Sequence, residues 1–207
     1  MAVADSAPNL APCASFAKWR DETPPDFWFS VKASRFATNR KLLAEGRDSV
    51  ARFVDSGIAL LGHKLGPIVW QFMPTKRFEP DDFECFLNLL PKQVDGLRLR
   101  HVLEVRHDSF KAPAYLRLAR RYGCATVLAD SPVYPSFADL TGDLVYARLM
   151  RCEAARRSGY APSRLDIWAQ HAKVWAGGGE PAGLPRVAAA ATTTAPRDVF
   201  LFFISGA

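Results

Sequence analysis

Five apolar runs in this chain end in a residue that can hold an ion or move a proton. Lys32 closes residues 27–32, Gln71 closes 67–71, Asp130 closes 125–130 and Arg148 closes 144–148. The run 101–106 carries both Glu104 and Arg106, and His107 follows it. Two carboxylates and three cations in one enclosed place shift one another's protonation. Glu104 and Asp130 are therefore candidate general acids or bases, with His107 beside them. Lys32, Arg106 and Arg148 are candidate clamps for an anionic substrate or a developing oxyanion, Gln71 a candidate polar contact, and Tyr160 a ring that could stack on a ligand. The structural alternative is that Glu104–Arg106 and Asp130–Arg148 are ion pairs that close the end of a sheet.

These residues need strands to carry them and helices to separate the strands. Apolar residues at helical spacing, Val50, Phe53, Val54, Gly57, Ile58 and Leu61, predict one helix over 48–61. Pro80 with Asp81 and Asp82 opens a second helix, with Phe83, Phe86, Leu87 and Leu90 on its apolar face. Pro113 opens a third, ended by Gly123. A fourth starts at Pro162, carries Leu165, Ile167, Trp168, His171 and Trp175, and stops at Gly177-Gly178-Gly179. Adding the run 199–203 gives six strands, most of them separated widely enough for parallel crossovers. The expected fold is α/β, a TIM-type (β/α) barrel that is incomplete, with about six of eight parallel strands. Side chains alternate along a strand. If Phe29, Val31, Leu103, Val105, Val127 and Ala147 pack under helices, the polar strand ends face the barrel axis at its C-terminal mouth, where such barrels keep their chemistry.

Composition narrows the classes. With 207 residues, 49% hydrophobic and 23% charged, the chain suits one globular domain over 16–207, after a poorly ordered Ala- and Pro-rich segment over 1–15. No apolar stretch approaches the roughly 20 residues of a membrane span, and residues 1–12 lack the pattern of a secretory signal. A cytoplasmic location and no membrane partner are expected. The net charge of +6 comes from dispersed basic residues without interleaved exposed aromatics, so a nucleic-acid partner is not expected. Cys13, Cys85, Cys124 and Cys152 form no CxxC pair and read as reduced thiols. His63, His101, His107 and His171 show no metal-ligand spacing, although carboxylates alone could hold Mg²⁺ or Mn²⁺, and the cofactor is left unknown. Residues 188–194 read as a low-complexity linker.

Taken in order, the motifs Phe27-Trp28-Phe29-Ser30-Val31-Lys32, Lys64-Leu65-Gly66-Pro67 running to Gln71-Phe72, Leu103-Glu104-Val105-Arg106-His107, Tyr146-Ala147-Arg148-Leu149 and Ser158-Gly159-Tyr160 resemble the YecE-like family, bacterial domain of unknown function number 72. The resemblance covers roughly residues 16 to 207. It implies a TIM-type barrel with a polar mouth matched here by Lys32, Glu104, Arg106, His107, Asp130 and Arg148. It implies no reaction. Many members have Thr-His where this chain has Thr38-Asn39, and Arg-Leu-His-Gly where it has Arg148-Leu149-Met150-Arg151; both changes remove a histidine from the mouth. Members also begin with two further strands and a helix, and end with a helix after the last strand. An N-terminally truncated barrel is the expectation, with exposed sheet edges that invite oligomerisation. The expected function is an enzyme acting on a small anionic or polyhydroxylated substrate. The alternative is a non-catalytic module for a phosphate-bearing ligand or nucleic acid, or an inactive fragment.

Overall fold

The computed structural model describes residues 2–5, 13–189 and 194–204. The chain divides into two compact units, Met1–Glu104 and Val105–Ala207.

In the first unit four strands run parallel in the order β1 (Ala2–Asp5), β2 (Phe29–Lys32), β3 (Leu65–Gln71) and β6 (His101–Glu104). Between them lie α1 (Cys13–Asp21), α2 (Arg35–Thr38), α3 (Arg47–Val54) and α4 (Pro80–Leu89). A two-residue turn, Asp95-Gly96, joins the small antiparallel pair β4 (Gln93–Val94) and β5 (Leu97–Arg98). Both turn residues have positive φ, 47° and 76°, which suits an Asp-Gly hairpin.

The aromatic side of the β3–β6 layer fixes which face is helical. Trp70 is fully buried between Phe53 of α3 and Phe86 of α4, with ring centroids 5.5 and 5.6 Å away. Phe72 packs on Phe83 and Phe86. Trp70 is thus part of the core. The single helix predicted over 48–61 is two pieces: α3 stops at Val54, and a 3-10 segment runs over Ile58–Lys64. Gly57 adopts φ 97°, outside the right-handed helical region, so the helix breaks there. The apolar period continues because Val50, Phe53, Ile58 and Leu61 all reach the same core. The segment predicted to be poorly ordered contains β1 and the start of α1; residues 6–12 lie outside the described residues.

The second unit holds α5 (Pro113–Arg121), a parallel sheet in the order β7 (Ala125–Asp130), β8 (Leu144–Leu149) and β9 (Asp198–Phe203), and α6 (Pro162–Ala176). Prolines at the first turns of α5 and α6 start both helices where their missing N–H costs nothing. The amphipathic side of α5 buries Tyr115, Leu116, Leu118 and Ala119. Trp168 and Trp175 of α6 are buried against Leu128, Val145, Ala147 and Leu149. The opposite face of the same sheet stacks Tyr146 on Phe200 and Phe202. Of the predicted linker over 188–194, residues 190–193 fall outside the described residues.

Candidate functional site

Strand register assigns each predicted residue to a face. In the first unit Gln71 is in register with Glu104, and Lys32 with Val69. Residues in register share a face, and so do residues two apart. Lys32, Gln71 and Glu104 therefore stand together on the face opposite Trp70 and the helices, as predicted. The Gln71 amide Nε2 donates to Glu104 Oε2 at 2.9 Å, and the Phe72 amide donates to the Glu104 carbonyl at 2.9 Å. Glu104 is only 1% exposed, while Lys32 and Gln71 are half-buried. A carboxylate buried to this degree needs donors, and Gln71 supplies one. Thr38, the last residue of α2, is buried and donates to the Gln71 carbonyl at 2.7 Å, fixing the end of β3.

In the second unit the register corrects the prediction for Asp130. Arg148 pairs with Ala129 and Phe202, so it lies on the Tyr146 face. Asp130 pairs with Leu149, which packs on Trp168 and Trp175 under α6. The two charges therefore lie on opposite faces, and Asp130 does not share the non-helical face with Arg148. Ala147 lies with Asp130 on the helical side, and Val127, in register with Tyr146, does not. The error arises because β7 is buried on both faces, so its sequence carries no alternation to choose between them.

Asp130 pairs instead with Arg151, which lies just beyond the end of β8. Arg151 Nε donates to Asp130 Oδ1 at 2.8 Å, and its Nη2 donates to the Ser131 carbonyl at 3.0 Å. The Arg151 backbone amide donates to the Tyr160 hydroxyl at 2.8 Å, and the Met150 amide to the Asp130 carbonyl at 2.9 Å. Asp130 Oδ2 is fully buried and has no hydrogen-bond partner among the described residues. Tyr160, 3% exposed, uses its hydroxyl as an acceptor, and its own proton meets no acceptor among the described residues. Burial raises the Tyr160 phenol above its ordinary pKa; the Arg151 amide opposes the shift and the Asp130 charge adds to it. Tyr160 is delivered by Ser158-Gly159, where Gly159 has φ 70° and any Cβ would run into the Cys152 sulfur. Sequence spacing could not single out Arg151. The only signal was an opposite charge just beyond the end of the next parallel strand.

Other predicted residues have different surroundings. Arg106 is half-buried, with its guanidinium carbon 4.4 Å from the Tyr134 ring centroid and Nη1 3.4 Å from the Tyr134 hydroxyl. Tyr134 is held by the turn in which Ser131 Oγ accepts from the Val133 and Tyr134 amides. His107 Nδ1 accepts from the Ser109 amide at 3.1 Å and caps the 3-10 turn Asp108–Phe110, which leaves Nε2 as its available nitrogen. Lys64 is buried and donates to the Arg20 and Thr23 carbonyls, where it closes the end of α1. Burial pushes the Cys124 thiol up to about 12, the opposite of a nucleophile. Among the described residues no group of three or more His, Cys, Asp or Glu is placed to hold a metal, and no helix is long and apolar enough to cross a membrane.

The family model described as protein of unknown function DUF72 matches residues 9–201. This chain is a member of the DUF72 family. A solved DUF72 family protein from Thermotoga maritima superposes with a TM-score of 0.63 at 18% identity, covering 97% of this chain and 76% of that one. Two structures of a DUF72 family protein from Enterococcus faecalis give 0.64 at 14% identity, covering 97% and 77%, and 0.66 at 13%, covering 99% and 83%. No curated protein matches. At these identities the likeness carries the fold alone. The DUF72 chain has the predicted α/β fold, an incomplete TIM-type barrel of parallel strands joined through helices.

Proposed function

We propose that this DUF72 protein binds a small hydroxylated or anionic molecule at the C-terminal ends of its strands, with Asp130 as the acceptor that holds it. One observation carries the reading: Asp130 Oδ2 is buried without a hydrogen-bond donor while Oδ1 is held by Arg151. A buried acceptor left unmet costs about 1–3 kcal/mol, so the site is short of one donor that a ligand hydroxyl can supply. The unused Tyr160 proton offers that hydroxyl a donor in return. A carboxylate that accepts a substrate hydroxyl's proton is also a general base, and Asp130 is the residue we assign to that role. Glu104, held by Gln71, is the corresponding candidate in the first unit, where Lys32 shares its face. Arg106, His107 and Arg148 remain candidates for orienting an anion.

The test is a thermal-unfolding panel of sugars, polyols, hydroxy acids and phosphate esters on the wild type and Asp130→Asn. Asparagine keeps the shape and an acceptor for Arg151 but removes the charge and the base. Stabilisation of the wild type by at least one hydroxylated compound, lost in Asp130→Asn, supports the reading. Equal stabilisation of both proteins ends it. Turnover of the compound found, followed in the same pair, separates an enzyme from a binding module.

A further inference from the structure

We propose that the small cavity against Trp175 holds one ordered water, which accepts from Trp175 Nε1 and donates to two of the oxygens of Thr126, Asp139 and Thr141. These four residues line the cavity, with Leu128 and Leu144 among their apolar neighbours. It lies toward the N-terminal ends of β7 and β8, away from Asp130 at the other end of β7. Its volume of about 10 Å³ suits a single water, which needs about 10–15 Å³ and two to four polar partners.

Counting protons identifies what the site is short of. Thr141 Oγ1 donates to the Cys124 carbonyl at 2.8 Å. The proton in its 2.9 Å contact with Thr126 Oγ1 therefore comes from Thr126, and the one in the 2.9 Å contact between Thr126 and Tyr115 comes from Tyr115. Every hydroxyl proton is used, while each threonine oxygen keeps a lone pair. Asp139, 4% exposed, accepts from the Val187 amide on one carboxylate oxygen and from the Ala188 amide on the other, and both oxygens keep further lone pairs. Trp175, 1% exposed, has the complementary need: its Nε1–H is buried and meets no acceptor among the described residues.

A molecule that accepts once and donates twice completes this set. Water does so within the available volume. A cation would meet the indole N–H, an anion would meet the Asp139 carboxylate, and an organic ligand is too large. The water joins the C-terminal end of α6 to β7 and to the loop at Asp139. That loop in turn holds the chain at 185–188, where the Ala138 amide donates to the Pro185 carbonyl at 2.8 Å.

The experiment is a high-resolution crystal structure of the full chain. The expected result is one solvent oxygen at full occupancy within hydrogen-bond distance of Trp175 Nε1 and of two of the three side-chain oxygens. A dry cavity, a direct bond from Nε1 to a protein acceptor, or a heavier or multi-atom peak overturns the proposal. In solution, deuterium relaxation dispersion of the solvent should count one long-lived water fewer in Trp175→Phe than in the wild type, because phenylalanine keeps a ring and loses the donor. Circular dichroism checks that the variant folds, and if it does not, the crystal structure decides alone. An equal count in the two folded proteins overturns the role given to Nε1.

Discussion

Asp130 and Arg148 end neighbouring parallel strands yet stand on opposite faces of their sheet, because Asp130 is in register with Leu149 and Arg148 with Ala129. The partner that Asp130 finds is Arg151, three residues further along the chain. A double-mutant cycle should therefore give Asp130–Arg148 a coupling near zero. Asp130–Arg151 should give about 0.5–1 kcal/mol, the range for a pair with one exposed member. A larger coupling for Arg148 than for Arg151, measured by urea unfolding, would contradict the register.

His101 titrates against the fold. Its Nδ1 accepts from Trp70 Nε1 at 3.0 Å and its Nε2 donates to the Pro91 carbonyl at 2.7 Å, so the buried ring is neutral and both nitrogens are used. Protonation would turn Nδ1 toward Trp70 as a second donor. Burial holds the imidazole below its ordinary pKa of 6.5, against the pull of the Pro91 carbonyl. The unfolded chain thus takes up the proton first as pH falls. The contribution is complete above about pH 6.5 and is lost below it, at a limiting slope of about 1.4 kcal/mol per pH unit. Urea midpoints at pH 7.5 and 5.5 should differ in the wild type and differ less in His101→Gln. Equal differences in the two proteins would remove His101 as the cause.

Trp70 is the centre of the first unit's core, enclosed by Phe53, Phe86 and the His101 ring. Trp70→Ala should cost about 3–5 kcal/mol. Trp70→Phe should cost less in volume but leaves His101 Nδ1 without its donor. Its penalty should therefore shrink when His101 is also changed to Phe. Additive penalties would mean that the hydrogen bond contributes little.

Lys64 belongs to a motif that resembles family members, and its contacts are structural. Its ammonium takes the Arg20 carbonyl at 2.5 Å, the Thr23 carbonyl at 2.7 Å and the Thr23 hydroxyl at 3.1 Å. Lys64→Met should leave ligand binding at Asp130 unchanged and destabilise by about 1–3 kcal/mol, with faster hydrogen exchange in α1 (Cys13–Asp21). Unchanged exchange there would show that α1 is held by its apolar contacts alone.

Strands β2, β3, β6, β7 and β8 were legible because each is an apolar run with a charged or polar residue at or next to its end, and the prolines at 80, 113 and 162 marked three helix starts; β1, inside the segment expected to be poorly ordered, was missed. The face of Asp130 was not legible. Ala125, Val127, Leu128 and Ala129 are all buried, so periodicity is silent and only pairing with β8 decides. Lys32, Gln71 and Glu104 were placed on the correct face because Trp70 and Leu103 gave their neighbours a clear helical side. β4 and β5 were missed as two-residue strands, too short to show a period, although Asp95-Gly96 between them was a turn signal.

The most direct test of the open carboxylate is calorimetric titration of wild type and Asp130→Asn with the strongest hydroxylated binder from the unfolding panel. The expected result is measurable binding to the wild type and at least about tenfold weaker binding to Asp130→Asn, with the two unfolding midpoints close. Equal affinity in the two proteins would contradict the assignment of Asp130 Oδ2 as the acceptor that holds the ligand.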